Sequence, residues 1–378
     1  MGESMITVRQ VATKKEQKEF LDFPLRLYKD CAQFVPPLYM DEKKIFSKDF
    51  IYNDTCEHVY FLAYKDGAVV GRISGILQRA ANEKWGQKRV RFTRFDSLND
   101  PEIAKALFDK LEEWARERGM EEVVGPLGFS DMEREGLLIE GFDELATFEE
   151  QYNYDYYQQL IEDLGYEKEV DWLESKISPS EVYDEKMHRM SAKLIERYKL
   201  HQNKATSVKE FLDKYADTFF DMVDASYDKI YGSVPFTENM KKMMIDTFKM
   251  IVKLKYVGIF FDENETPVAF GLCFPSIAMA VQKSGGKLTP ACLVRLLRAI
   301  NHPKVLDLAL IGVNPEWNNK GVGILVAAGL DDLLRNNPIE YAETNLNLED
   351  NHAILNTWKR FTAVQHKKRR SYVKKISR

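Results

Sequence analysis

The sequence predicts an α/β (α+β) chain of two tandem domains, each a mixed twisted sheet flanked by helices. Three observations lead there. The chain has 378 residues, and at roughly 100–200 residues per domain that favours two. One order of elements, strand–helix–hairpin–strand–helix–strand–helix–strand, can be read twice along it, as architecture rather than as repeated sequence. The clearest break, Ser178-Pro179-Ser180, stands between the two readings. The expected boundaries are 1–178 for the first domain, 179–204 for a linking helix and 205–378 for the second.

In the first half, residues 6–11 read as a short strand and 15–28 as a helix, and Val35-Pro36-Pro37-Leu38 breaks any helix there. Residues 59–64 and 68–77 are apolar, partly β-branched runs around Lys65-Asp66-Gly67, which is a hairpin pattern. A third strand is expected over 91–95. Asp100-Pro101-Glu102 then opens a helix: Asp can cap free amides, Pro suits the first turn, and Glu favours the positive end of the dipole. Ile103, Ala106, Leu107, Leu111 and Trp114 recur at helical spacing, and Gly119 ends the run. A strand over 122–126, a helix over 154–164 and a strand over 170–177 close the half.

Residues 181–204 form a charged helical stretch whose Met187, Met190, Leu194 and Tyr198 are spaced to pack on a neighbour. The second half continues with a helix over 208–227 and a helix-rich stretch after Pro235. A hairpin is expected over 256–261 and 267–274, then an inserted apolar helical segment over 281–299. That segment suits an acyl tunnel or a homodimer face equally well. A buried strand over 305–313, a glycine loop and helix over 314–334, a strand over 341–344, a helix over 349–359 and a strand over 371–376 complete the chain.

Bulk composition narrows the function. Hydrophobic residues make up 44% and aromatics 12%, enough to fill cores. The net charge of −5 gives no electrostatic reason to expect nucleic acid. The one basic run is C-terminal, from His366 through Lys367, Lys368, Arg369, Arg370, Lys374 and Lys375 to Arg378, and it reads as a solvated edge strand and tail or as a local attraction for an anion. Cys31, Cys56, Cys273 and Cys292 are scattered, so neither a disulfide framework nor a metal site is expected. No run approaches 18 uncharged apolar residues, and the first ten residues do not read as a signal peptide; a cytoplasmic protein with no membrane span is expected.

The informative segment is VLDLALIGVNPEWNNKGVGILVAAGLDDLLRNN, residues 305–337. A buried strand runs into a short loop, and Gly321-Val322-Gly323 starts a helix. Glycines there let a ligand approach the backbone, and the first helical turn offers unpaired N–H groups to a pyrophosphate. Lys320 adds a charged donor. The alternative is a plain tight strand–helix turn. A Walker loop is ruled out by the lack of Gly-Lys-Ser/Thr, and GxGxxG is incomplete.

Val313-Asn314-Pro315-Glu316 followed by Asn318-Asn319-Lys320-Gly321-Val322-Gly323 resembles the acyl-CoA loop of the GNAT acyltransferase superfamily. Residues 345–361, NLNLEDNHAILNTWKRF, resemble that superfamily's next element, with Asn351 at its Asn and Trp358 where a Tyr is usual. The likeness covers about 257–376 and extends more faintly over the first half, and the layout resembles bacterial two-domain GNAT-like proteins. It implies acetyl-CoA or a longer acyl-CoA as co-substrate, held by Ile311, Val313, Asn318, Asn319, Lys320, Gly321, Val322, Gly323, Ile324, Asn351 and Trp358. In the first half Asp96-Ser97-Leu98-Asn99-Asp100-Pro101 stands where the glycine loop belongs, which implies a domain that has lost the cofactor.

The same resemblance implies a thioester in a splayed gap between strands 305–313 and 341–344, attacked directly by an amine. Asp307 or Glu343 would serve as base, the alternative for each being a carboxylate on a solvent face, and Tyr341 is a candidate acid. Trp358 has no proton to give a leaving thiolate. In the first half, Glu140 and the tyrosines Tyr152, Tyr156 and Tyr157 form a candidate acceptor site, the alternative being aromatic packing. The expected function is acyl transfer from acyl-CoA to a small-molecule amine. A non-catalytic acyl-CoA or small-ligand sensor is the competing reading. A peptidoglycan-type aminoacyl transferase is disfavoured by the lack of a long helical arm.

Overall fold

The computed structural model describes residues 5–376, so Arg378 of the basic run lies outside the described residues. The first half of the chain runs β1 (Thr7–Gln10), α1 (Lys14–Leu27), α2 (Tyr39–Glu42), β2 (Cys56–Lys65), β3 (Ala68–Gln78), α3 (Arg79–Trp85), β4 (Arg89–Ser97), α4 (Pro101–Glu117), β5 (Glu122–Gly125), β6 (Leu137–Glu140), α5 (Tyr156–Glu162) and β7 (Glu167–Ser178). It continues with α6 (Glu185–Tyr198), β8 (His201–Gln202), α7 (Val208–Tyr227), α8 (Glu238–Ile251), β9 (Val257–Phe261), β10 (Pro267–Pro275), α9 (Ala278–Gln282) and α10 (Pro290–Asn301). Last come β11 (Val305–Val313), α11 (Gly323–Asn336), β12 (Tyr341–Thr344), β13 (Asn347–Leu348), α12 (His352–Trp358) and β14 (Thr362–Lys375).

Two compact units result. The first takes residues up to Trp172, Ala278–Val294 and everything from Lys367 on; the second takes Leu173–Ile277 and Arg295–His366. The chain therefore changes unit inside β7 rather than at the Ser178 break, and it returns to the first unit twice. The first return has a local cause. The Gln282 side-chain amide donates to the carbonyls of Ala32 (2.7 Å) and Phe34 (3.1 Å), and the Tyr39 amide donates to Gly286 (2.9 Å).

In the first unit the strands lie in the order β1-β2-β3-β4-β5-β14. Only β4 and β5 pair in parallel, over Arg89–Arg91 and Glu122–Val124. Helix α4 closes the core with Ile103, Leu107, Phe108 and Leu111. The Asp100 side chain accepts from the Glu102 amide, and Pro101 follows as the sequence suggests. The basic C-terminal run is not a solvated edge. It forms β14, paired with β5, with Lys367 and Arg369 buried. Its charge is met inside the unit: Arg370 grips Asp171 through two bonds of 2.8 and 3.0 Å, and Lys374 reaches Glu112 at 2.7 Å. Burial raises the cost of the Glu42 carboxylate, yet the Arg94 guanidinium, bonded to it at 2.5 and 3.2 Å, holds it at about 2.

In the second unit the order is β7-β12-β11-β10-β9-β8, with β11 and β12 parallel. Helix α11 buries Leu325, Ala328, Leu330 and Leu334. Helix α6, expected as a linker, is part of this unit's core: Met187 is buried with Ala327 and Leu330, and Tyr198 stands edge-on to Trp317 at 5.2 Å.

Candidate functional site

Strand β11 is the spine of the site. Its aliphatic residues pack on both faces, and one edge pairs along its length with β10. Gly312 is required there, because a Cβ would stand 2.4 Å from the Phe270 ring. The other edge pairs with β12 only over Val305–Leu308, opposite Tyr341–Thr344, and the Asn345 amide makes the last bond, to Leu308 (3.2 Å). Past Leu308 the two strands part, leaving a gap that opens toward the end of β11.

Side-chain hydroxyls at the end of α7 meet that bare edge. The Ile311 amide donates to Tyr227 Oη (3.3 Å), and the same hydroxyl donates to the Ile311 carbonyl (3.1 Å). Ser226 Oγ donates to the Val313 carbonyl (3.1 Å). Nothing in the local sequence signals this role for α7, because the contact spans 84 residues.

The loop after β11 is built by short-range bonds. Asn314 donates through its amide to the Val268 carbonyl, and its side-chain oxygen accepts from the Glu316 amide. This turns residues 315–317 and buries Trp317, on whose ring the Lys320 ammonium rests at 4.0 Å. Asn319 and Gly321 then adopt left-handed φ values of 66° and 77°. Helix α11 starts with no side-chain cap at Val322. Among the described residues, the amides of Gly321, Val322 and Gly323 donate to no protein group. A Cβ on Gly321 would meet nothing within 4 Å, and one on Gly323 would come no nearer than 3.8 Å, to Val313. Space thus lies beside both glycines, while Val322 between them is buried, and amides left unpaired at a helix start are the arrangement that takes an anion.

Below the gap the parallel register sets Asp307 beside Glu343 on one face. Both carboxylates are buried, which removes the solvent-face alternative. Glu343 Oε1 lies 2.8 Å from Nε2 of His366, whose side chain is 4% exposed. With Nε2–H donating to the carboxylate, Nδ1 keeps its lone pair, and that atom has no partner among the described residues. Burial first, and the Asp307 charge second, push the neighbouring Cys273 thiol up to about 12, so it stays a neutral wall. Tyr341 sits half-buried at the far end of β12, with the Lys176 ammonium 5.5 Å from its ring. His366 escaped sequence reasoning because it lies in the basic run, 23 positions from Glu343.

The remaining expected residues have structural partners. The Asn351 side chain caps α12 by accepting from Ile354 (3.3 Å). Trp358 is buried, and its indole donates to Asn347 at 2.7 Å. In the first unit, Tyr152 donates to the Phe142 carbonyl and Tyr156 to the Ser97 carbonyl, while Tyr157 is fully buried and accepts from the Ser97 amide. Glu140 stands at the exposed end of β6. Each of these three hydroxyls is thus bonded to the backbone within the first unit.

No family model matches the chain. It is 27% identical over 387 aligned residues to "Protein YghO" of Escherichia coli (strain K12), covering 98% of this chain and 95% of that one. It is 26% identical over 324 residues to "Bacterial ceramide synthase" of Caulobacter vibrioides, covering 84% and 83%. Among solved structures, a tandem GNAT protein from the clavulanic acid biosynthesis pathway superposes with a TM-score of 0.56 over 99% of both chains at 12% identity. A GCN5-related N-acetyltransferase from Sphaerobacter thermophilus gives 0.52 over 99% and 96% at 10%. This likeness shows the fold, two tandem GNAT domains.

Proposed function

We propose that this chain, built on the tandem GNAT fold, is an acyl-CoA-dependent N-acyltransferase whose reaction centre lies wholly in the second unit. The observation that carries the reading is the row of unclaimed amides at Gly321, Val322 and Gly323, opening directly after a strand with a bare edge. Those amides, with Lys320 beside them, would hold the diphosphate of CoA. The edge at Ile311 and Val313 would take the amide-bearing arm, in exchange for the hydroxyls of Tyr227 and Ser226. The thioester supplies an acyl carbon activated for attack by an amine.

The chain's own groups then divide the proton work. His366 Nδ1 takes the proton that the attacking amine loses, and the Glu343 carboxylate at 2.8 Å stabilises the imidazolium. Tyr227 Oη, already at the gap, protonates the departing thiolate, a role the locked Trp358 indole cannot fill. The N–C bond forms as the C–S bond breaks, and no other reactant is needed. For the acceptor we propose an amine on a long-chain lipid, with a long-chain acyl donor. The support is the ceramide synthase relative, since a ceramide is an N-acylated long-chain amino alcohol.

The test is thiol release monitored with acetyl-CoA and palmitoyl-CoA, each against a sphingoid base and a panel of water-soluble amines. Turnover with palmitoyl-CoA and the sphingoid base is expected. Binding without turnover on any amine would favour the sensor reading, and no binding of any CoA ester would sink the proposal.

A further inference from the structure

Helix α10 carries a face that neither the core nor the proposed reaction uses. Over Pro290–Asn301 it turns Cys292 inward, where the thiol lies 3.1 Å from Ser284 Oγ. Outward it presents Leu293, Val294 and Leu297, exposed by 49%, 67% and 61%. At about 100° per residue these three fall within an arc of about 100°, so they form one apolar stripe along the helix. Arg298 is exposed and flanks the stripe about 40° beyond Val294.

Charge sets the partner. Residues 266–306 contain no Asp or Glu, although 59 such residues are spread over a chain of net charge −5. The same segment holds Lys283, Lys287, Arg295 and Arg298, and a fifth cation, Lys304, whose charge is met by Glu340 at 3.0 Å. A helix with protruding aliphatic side chains, flanking cations and no acids is built to lie at an anionic lipid–water boundary. A second copy of the chain fits less well. A two-fold contact through this face would bring like charges together with no carboxylate in the segment to offset them. No helix among the described residues is long and apolar enough to cross a membrane, so the contact would be peripheral.

We infer that the protein docks on anionic membranes through the Leu293–Val294–Leu297 face of α10. The inference stands on α10 and the acid-free segment around it and does not require the acyl-transfer reading. The experiment is cosedimentation of the full-length protein with vesicles of phosphatidylcholine, with and without 30 mol% phosphatidylglycerol. Binding to the anionic vesicles is expected to be about tenfold tighter or more, and weaker as salt rises. Leu293→Asp with Leu297→Asp should lose at least about tenfold of it at an unchanged circular dichroism spectrum. Arg298→Glu, on a separate chain, should lose about threefold to tenfold and flatten the salt dependence. Equal binding to both vesicle types, no binding to either, or undiminished binding by both variants overturns the inference. So does light scattering that finds a wild-type dimer, made monomeric by the double variant, without vesicle binding.

Discussion

Replacing Gly321 by Glu tests the diphosphate cradle directly. Gly321 sits at φ 77°, where a side chain costs about 1–2 kcal/mol, so the variant should relax toward negative φ. That rotation re-aims the three amides that donate to no protein group. A hydrogen bond to a charged group is worth about 1.5–3 kcal/mol, so losing two of the three costs about 3–6 kcal/mol. In affinity this is about 10²- to 10⁴-fold, before any repulsion between the new carboxylate and the diphosphate. Titration calorimetry with CoA reads the loss, and wild type should bind one equivalent per chain. Gly67→Glu is the matched control. Gly67 has φ 80°, a Cβ there also meets nothing within 4 Å, and it lies in the β2–β3 hairpin of the first unit. Both variants should lose similar thermal stability, but only Gly321→Glu should lose CoA. Equal CoA affinity in the two variants would refute the cradle.

Three further outcomes follow from the site and its surroundings. Glu343→Gln and His366→Asn should each lower kcat by about 10²-fold or more while leaving CoA affinity within about twofold, because the pair handles the amine's proton and not the donor's phosphates. Tyr227→Phe should lower kcat with palmitoyl-CoA by about tenfold or more, and an acyl donor with a more acidic leaving thiol should recover most of the loss; no recovery would argue against an acid role. Glu42 is held at about 2, below its unfolded value of about 4.5, so its contribution to stability is complete above pH about 4.5 and fades as pH falls toward 2. Melting curves of wild type and Glu42→Gln should therefore lie furthest apart near pH 6–7, by a few kcal/mol, draw together below pH about 4.5 and converge only at about pH 2 and below.

What the sequence made legible was local. The turn from β11 into α11 could be read because its instructions are adjacent: Asn314 turning the strand, Trp317 anchoring the loop, and glycine where φ is positive. The α4 cap was visible for the same reason, as Asp100 and its partner amide at Glu102 are two residues apart. Polar groups whose partners lie far away were misread or missed. Arg370 and Lys374 looked like a solvated edge because Asp171 and Glu112, which neutralise them, are 199 and 262 positions away. His366 belonged to that same run, and its basic neighbours concealed an imidazole that meets a catalytic candidate. Tyr227 closed a helix with no motif around it, and only the pairing pattern of β11 reveals that its hydroxyl meets a strand edge.

The proposed reading assigns one cofactor to a doubled fold, and the two units differ at the place that matters for it. Each has a strand leading to a helix start, but the amides at those starts have different fates. In the first unit Asp100 accepts from Glu102, its carbonyl takes the Ile103 and Ala104 amides, and Pro101 has no N–H at all. The Asp100 carboxylate is in turn bonded to Lys65 at 3.0 Å. That helix carries its own anion, so an incoming diphosphate would find the donors taken and a negative charge in place. The end of β4 is closed in the same spirit, the Ser97 amide and carbonyl being bonded to the hydroxyls of Tyr157 and Tyr156. In the second unit Val322 offers no side-chain cap, and the corresponding hydroxyl comes from Tyr227 at the end of a helix, with Ile311 only partly buried. A capped start gains stability at the expense of a ligand, and an uncapped one leaves that gain for the ligand to supply. Thermal stabilisation by CoA should accordingly depend on Gly321 and Gly323 and be indifferent to Asp100→Asn, which keeps the cap while removing its charge.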